Sequence, residues 1–192
     1  ADLEIARPLE MLREPVLGYL MELLTGMQPL SVLSNPPKAT TSVASWYFQT
    51  GGLRRRLALL ARTADVLSAL HGKGLVYSDP SPHNIFVSEA SDATEVRFID
   101  SDNIHYVSSA GLPTVFTPGY GAPELIRGTS GVNSLTDAHA FAVLTFQTLS
   151  LVHPLIGDAV ANGPPEREEE AFAGAMPWVD DPGNSSNRCS IG

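Results

Sequence analysis

The stretch Leu75-Val76-Tyr77-Ser78-Asp79-Pro80-Ser81-Pro82-His83-Asn84-Ile85-Phe86-Val87 decides how the rest of the chain is read. An apolar run breaks at Asp79-Pro80, crosses a polar turn and resumes to Val87, so the pattern predicts two short strands flanking a rigid loop. Pro80 and Pro82 fix φ and remove backbone donors, which leaves the loop few conformations and holds the Asp79 carboxylate and the Asn84 amide at a set separation. A carboxylate so placed can accept a proton from a substrate hydroxyl, and an amide oxygen can coordinate a hard cation such as Mg²⁺. A turn-capping Asp and an Asn tolerating an unusual backbone angle would account for the same two residues taken alone.

Two further segments lie downstream. Val96-Arg97-Phe98-Ile99-Asp100-Ser101-Asp102-Asn103 is an apolar strand ending in carboxylates, and Gly119-Tyr120-Gly121-Ala122-Pro123-Glu124 closes a stretch rich in small residues. Asp79 with Asn84 five positions on resembles the catalytic loop of the protein kinases, H-R-D-x-x-x-x-N. Ile99-Asp100 resembles the start of their D-F-G segment, and Gly119 to Glu124 resembles the end of the activation segment, A-P-E included. Each motif alone is weak; the three in this order make the resemblance specific.

The resemblance implies an α+β fold, a mainly helical kinase large lobe preceded by a truncated small-lobe sheet. Residues 1–25 would be the last strands and hinge of the small lobe, and residues 26–192 the large lobe, cut short at its C-terminus. It implies phosphoryl transfer from ATP with Mg²⁺ to Ser or Thr hydroxyls of a protein substrate, with Asp79 as the catalytic base and Asn84 and Asp100 as metal ligands. Met21 would stand at the back of the adenine slot, Glu22 and Leu24 would offer backbone groups to the adenine edge, and Phe86 would form its floor. Asp137 matches the kinase Asp that accepts hydrogen bonds from the catalytic-loop backbone, and Arg188 is the candidate partner of Glu124. The wording Trp178-Val179-Asp180-Asp181-Pro182 looks most like a bacterial group encoded beside von Willebrand-type proteins and phosphatases, so a phosphatase or regulatory protein is a candidate partner.

Composition bounds the alternatives. At 192 residues and 43% hydrophobic, the chain can bury a sizeable core as one domain or one lobe. A net charge of −9 argues against nucleic acid, whose phosphates call for a basic face. Arg54-Arg55-Arg56 is the one basic cluster, expected to be a solvated helical turn. No apolar run approaches the roughly 20 residues that span a bilayer, so no membrane role and a cytoplasmic location are expected. Cys189 is the single cysteine, which rules out a disulfide within these residues.

Between the motifs, Glu4 to Leu12 and Val16 to Leu24 read as two strands, and Leu30 to Thr50 as a short helix, a loop and a partial helix. Leu53, Leu57, Leu60, Ala64, Leu67 and His71 recur at helical spacing and predict an amphipathic helix stopped by Gly72 and Gly74, with His71 packed or capping. Ser134-Leu135-Thr136-Asp137 opens a second helix, apolar on most sides, and Glu166 to Glu170 a charged surface helix. Ser108, Ser109, Thr114 and Thr117 are candidate phosphorylation sites.

The sequence also departs from the kinase pattern. Neither the Gly-rich loop nor the strand lysine is found; the only lysines are Lys38 and Lys73. Tyr77-Ser78 stands for His-Arg, Ser81 for the catalytic-loop lysine, and Ser101-Asp102 for Phe-Gly. A fragment inactive by itself is therefore expected, its longer parent being the enzyme; a non-catalytic nucleotide- or partner-binding module and a small-molecule phosphotransferase are the alternatives.

Overall fold

The computed structural model describes residues 3–107 and 114–190, so Ser108 and Ser109 lie outside the described residues. The chain is α+β, with small sheets around two long helices. Strands β1 (Pro8–Met11) and β2 (Tyr19–Met21) pair antiparallel as a hairpin. Strands β3 (Met27–Pro29), β5 (Ile85–Ser88) and β6 (Val96–Phe98) form an antiparallel sheet in the order β3-β5-β6, while β4 (Leu75–Val76) pairs with β7 (His105–Tyr106). The two strands flanking Asp79 therefore belong to different sheets, and the loop between them spans the gap.

The β1–β2 hairpin is held from its N-terminal side. Ala6 N–H donates to Phe98 O at 2.7 Å and Phe98 N–H to Glu4 O at 2.9 Å, so residues 4–6 run along β6 as a short parallel bridge centred on Ile5. The hairpin itself projects from the body: Leu9, Met11 and Leu20 are half or more exposed, and Leu17 in its turn is 93% exposed.

Helices α1 (Val43–Gln49) and α2 (Gly52–His71) meet at Gly51, whose φ of +96° and neighbouring Ser91 O, 2.5 Å from where a Cβ would stand, leave room for no other residue. The buried face of α2 is rotated from the expected one. Leu60 and Leu67 are inside as the spacing predicts, but Leu53 and Leu57 are half exposed, and Arg55, Arg56, Leu59, Thr63, Val66 and Leu70 face inward instead.

Arg55 and Arg56 overturn the expectation of a solvated basic turn. Arg55 donates to Thr50 O, Ala93 O and Ser88 O, tying the start of α2 to the β5–β6 turn. Arg56 is fully buried; it donates to Leu33 O at 2.9 Å and Thr50 Oγ1 at 3.1 Å, with its guanidinium 3.8 Å from the Tyr47 ring centre and 5.3 Å from that of Trp46. Carbonyls at the ends of neighbouring elements need donors, and a guanidinium supplies five in a fixed fork while its flat face stacks on the aromatics.

Helix α4 (Ser134–Ser150) starts where expected, though its cap is Asn133, which forms a capping box with Thr136. Leu144, Val143 and Ala140 pack into the core with α2, β5 and β6, whereas Ala138 and Ala142 on the opposite side are exposed, so burial is less complete than the apolar pattern suggests. Short helices α3 (Pro123–Ile126), α5 (Asp158–Ala161) and α6 (Glu166–Phe172) complete the chain, the last with its glutamates exposed as expected. No helix among the described residues is long and apolar enough to cross a membrane.

The anticipated ion pair of Glu124 and Arg188 does not form among the described residues. Arg188 is exposed, and its neighbour Asn187 anchors the final segment: fully buried, it accepts from Gly157 N–H at 3.1 Å and donates to Leu155 O at 3.1 Å and Pro177 O at 2.9 Å. One neutral amide satisfies three backbone groups there, with no desolvated charge.

Replacing Arg56 with Leu, which keeps bulk and strands the carbonyls, is expected to lower stability by about 2 to 4 kcal/mol. Urea unfolding checks it; an unchanged midpoint would show that Arg56 does not cap these elements.

Candidate active site around Asp79

Asp137, in the first turn of α4, is fully buried and positions the loop. It accepts from Tyr77 N–H at 2.8 Å and Ser78 N–H at 2.9 Å, and its Oδ2 lies 2.8 Å from His71 Nε2 at the end of α2. The role expected for Asp137 is thus met, and His71 is a packed residue that orients it. Ser78 sits at φ +75°, a conformation costly for a non-glycine residue, and the carboxylate that grips its N–H helps keep it there. Tyr77 fills the space beneath: its ring meets Phe98 edge to face at 4.9 Å and its hydroxyl donates to Ile99 O. Burial, then the nearby carboxylates led by Asp100, push the Tyr77 phenol far above its usual range, so it stays a donor.

Asp79 is 6% exposed, and both its oxygens are engaged. Thr117 N–H donates to Oδ1 at 2.8 Å; Oδ2 accepts from Thr117 Oγ1 at 2.8 Å and from Asn84 Nδ2 at 2.8 Å. The proline-rich loop therefore does bring Asp79 and Asn84 together. Thr117 was missed as a partner in the sequence, where it appeared as a candidate phosphorylation site; its hydroxyl is half-buried and committed to Asp79. The readable signal was Thr117-Pro118-Gly119, a turn sequence ahead of the A-P-E segment.

Asp100 follows β6 at φ +51° and is exposed at the surface. Crowding by neighbouring atoms, then the charges of Asp102 and Asp79, raise its pKa above the usual carboxylate value. Asn84 uses its amide nitrogen on Asp79, and its side-chain oxygen has no protein partner among the described residues. An unpartnered amide oxygen and a carboxylate held among like charges fit a hard divalent cation, whose arrival would relieve the repulsion. Among the described residues no group of three or more His, Cys, Asp or Glu side chains closes around a metal position, so further ligands would come from phosphate or water.

Of the residues expected to line an adenine slot, Met21 ends β2 opposite Pro8, and Phe86 lies in mid-β5 between Pro29 and Arg97. Glu22 and Leu24 border an open groove of about 470 Å³ with Ile5, Leu9 and Arg97, whose walls include neither Met21 nor Phe86. Tyr19 in β2 reaches across to donate to Asp102 Oδ1 at 3.3 Å, a contact between hairpin and carboxylate segment that no motif announced. Ser81, in place of the kinase lysine, is fully buried, and its hydroxyl is without a partner among the described residues.

Asp137→Asn would turn an amide N–H₂ toward one of the donors the carboxylate now accepts, and is expected to lower stability by about 2 to 4 kcal/mol in urea unfolding. Stability should also fall as pH drops from the ordinary His value near 6.5 toward 4. Burial lowers the pKa of His139 and takes that of His153 down to about 4, so in this window the unfolded chain binds protons that the folded one refuses. A flat stability profile between pH 6.5 and 4 would contradict it.

No protein-family model matches the chain. Curated relatives do. It is 33% identical over 138 residues to serine/threonine-protein kinase Pkn1 of Myxococcus xanthus, a match covering 68% of this chain and 18% of the relative. It is 33% identical over 116 residues to serine/threonine-protein kinase pkn2 of the same organism, covering 56% of this chain and 14% of the relative. A third, serine/threonine-protein kinase PknG of Mycobacterium leprae, is 35% identical over 96 residues, half of this chain and 12% of its own length. The matched part is thus under a fifth of each of these relatives. A loop carboxylate paired with an asparagine five residues on, carried by a buried aspartate and followed by an Asp100 segment, accords with these matches, and the chain belongs to the protein kinase-like family.

Proposed function

We propose that residues 1–25 are the last strands and hinge of a kinase small lobe and residues 26–192 its large lobe, and that the longer parent protein transfers a phosphoryl group from MgATP to Ser or Thr hydroxyls of a protein substrate. The observation that carries this reading is the hydrogen bond from Thr117 Oγ1 to Asp79 Oδ2 at 2.8 Å. An alcohol already donates to the oxygen that would orient the acceptor hydroxyl, on a loop that Asp137 and Asn84 keep in place. The reaction asks mainly for positioning and charge neutralisation, which such a fixed carboxylate supplies on the acceptor side.

Asn84 and Asp100 are the residues that would hold Mg²⁺, whose chemistry when bound is to neutralise phosphate charge. Glu22 and Leu24, which border one groove, would offer backbone groups to an adenine edge, and Met21 and Phe86, which lie outside the walls of that groove, would have to be brought against it to complete the slot. The Gly119 to Glu124 segment favours a protein acceptor, because it resembles the part of the kinase activation segment that shapes a peptide platform, and Thr117 just ahead of it is hydrogen-bonded to Asp79; a small-molecule alcohol would use the same Asp and Asn.

For the 192 residues alone we favour a non-catalytic nucleotide- or partner-binding module. Lys38 and Lys73 are both exposed, and Lys73 borders a groove with Leu3, Glu4 and Asp65 on the outer side of α2. The charge stabilisation that a phosphate-binding lysine supplies would have to come from elsewhere.

In the longer parent, Asp79→Asn is expected to reduce turnover by roughly 10² to 10⁴ while leaving MgATP binding in place. Unchanged turnover removes Asp79 from the role, and phosphorylation of small alcohols in preference to peptides replaces the protein substrate. Calorimetric titration of the 192-residue chain with MgATP should give weak binding without turnover; micromolar binding with turnover overturns the second reading.

A further inference from the structure

Thr117-Pro118-Gly119-Tyr120 is a tight turn closed by Tyr120 N–H donating to Thr117 O at 3.1 Å. Proline at its second position and a glycine at φ +86° at its third are what a type II turn requires. The turn is fixed at its first residue, where Thr117 grips Asp79, and at its fourth, where the Tyr120 hydroxyl donates to Gln147 Oε1 on α4. Its third residue is fixed from outside. His153, past the end of α4, places Nε2 3.2 Å from Gly119 O, while its Nδ1 accepts from Leu155 N–H at 3.2 Å.

These two contacts determine the ring's state. Nδ1 can accept only without a proton, so the proton is on Nε2 and is donated to Gly119 O. The ring is wedged edge-on to Tyr120 at 5.8 Å and tilted against Phe172 of α6 at 5.6 Å. A Cβ on Gly119 would come within 3.1 Å of His153 Nε2 and 3.2 Å of Phe172 Cζ, so the turn is seated directly on this pair of rings. None of these contacts touches Asp79, and none is accounted for by the motifs.

We propose that His153 is a positioning residue of the acceptor side: by holding the Gly119 carbonyl in its neutral, Nε2-protonated form, it sets the turn that presents the Thr117 N–H and hydroxyl to Asp79. This rests on the phosphoryl-transfer reading. A short turn pinned at three points moves as a unit, so releasing its third residue shifts the first, and a small misplacement at a reacting group is costly. The nucleotide side shares no contact with His153, and its binding is left alone.

The test uses the longer parent protein, a Ser/Thr peptide acceptor and MgATP. His153→Leu keeps bulk and removes both ring nitrogens; His153→Asn keeps an acceptor near the Nδ1 position; His153→Gln keeps a donor near the Nε2 position. The Leu and Asn variants should lose about 10- to 100-fold in kcat/KM for the peptide, with KM for MgATP within about 2-fold of the parent, and the Gln variant should recover to within about 3-fold. A Leu variant with unchanged peptide kinetics, a Gln variant as impaired as Leu, or a parallel rise in KM for MgATP each overturns the proposal.

If the unsubstituted parent phosphorylates no peptide, the phosphoryl-transfer reading fails, and the His153 clamp is judged separately by long-range ¹⁵N correlation spectra of the histidine ring at pH 7. A neutral ring protonated at Nε2 supports the clamp; a ring protonated at Nδ1, or at both nitrogens, sinks it.

Discussion

The loop that carries Asp79 has little regular structure of its own, and its conformation depends on one buried carboxylate. Tyr77 and Ser78 turn their backbone N–H groups away from any strand partner, and both are received by Asp137 at the start of α4. A fully buried charge is tolerable there because three donors converge on it, two backbone N–H groups and the His71 ring, and because the first turn of a helix favours negative charge. Take away that acceptor, and Ser78 has much less reason to remain at positive φ, with Asp79 directly after it.

From this point the site is built outward by hydrogen bonds that alternate between loop and helix. Asp137 fixes Ser78, Asp79 follows, Asn84 and Thr117 close on Asp79, and the turn after Thr117 is seated against the C-terminal part of α4. Helix α4 thus supports the loop at its N-terminal end and the turn after Thr117 toward its C-terminal end. Rigid secondary structure holding a reactive loop from two sides allows a carboxylate to keep its geometry within the narrow limits that positioning chemistry needs.

Charge in the molecule is distributed unevenly. Arg55 and Arg56, both buried, serve backbone carbonyls near the start of α2, well removed in the chain from the motif loop, while Asp79, Asp100 and Asp102 gather near one another, and the pKa of Asp100 is raised first by desolvation and then by the charges of Asp102 and Asp79. Tyr77, with a neutral hydroxyl, takes the place of the kinase histidine and binds Ile99 O just ahead of Asp100.

Much of this was readable from the chain alone. Paired prolines between Asp79 and Asn84 dictate a stiff loop whatever surrounds it, the spacing of leucines from Gly52 to His71 dictates a helix, and the polar start of the 134–150 segment dictates where the next begins; all three are local effects of φ restriction, periodicity and capping. Tertiary structure decided the rest. Which face of α2 turns inward depended on carbonyls at the ends of other elements, and those drew Arg55 and Arg56 inside, against the rule that basic runs are solvated. Beside Asn84, Asp79 proved to have a second partner in Thr117, 38 residues away, and the anchor of the last segment proved to be neutral Asn187 instead of its charged neighbour Arg188. A sequence states which groups can donate and accept, but which donor meets which acceptor is settled by distances that exist only once the chain has folded.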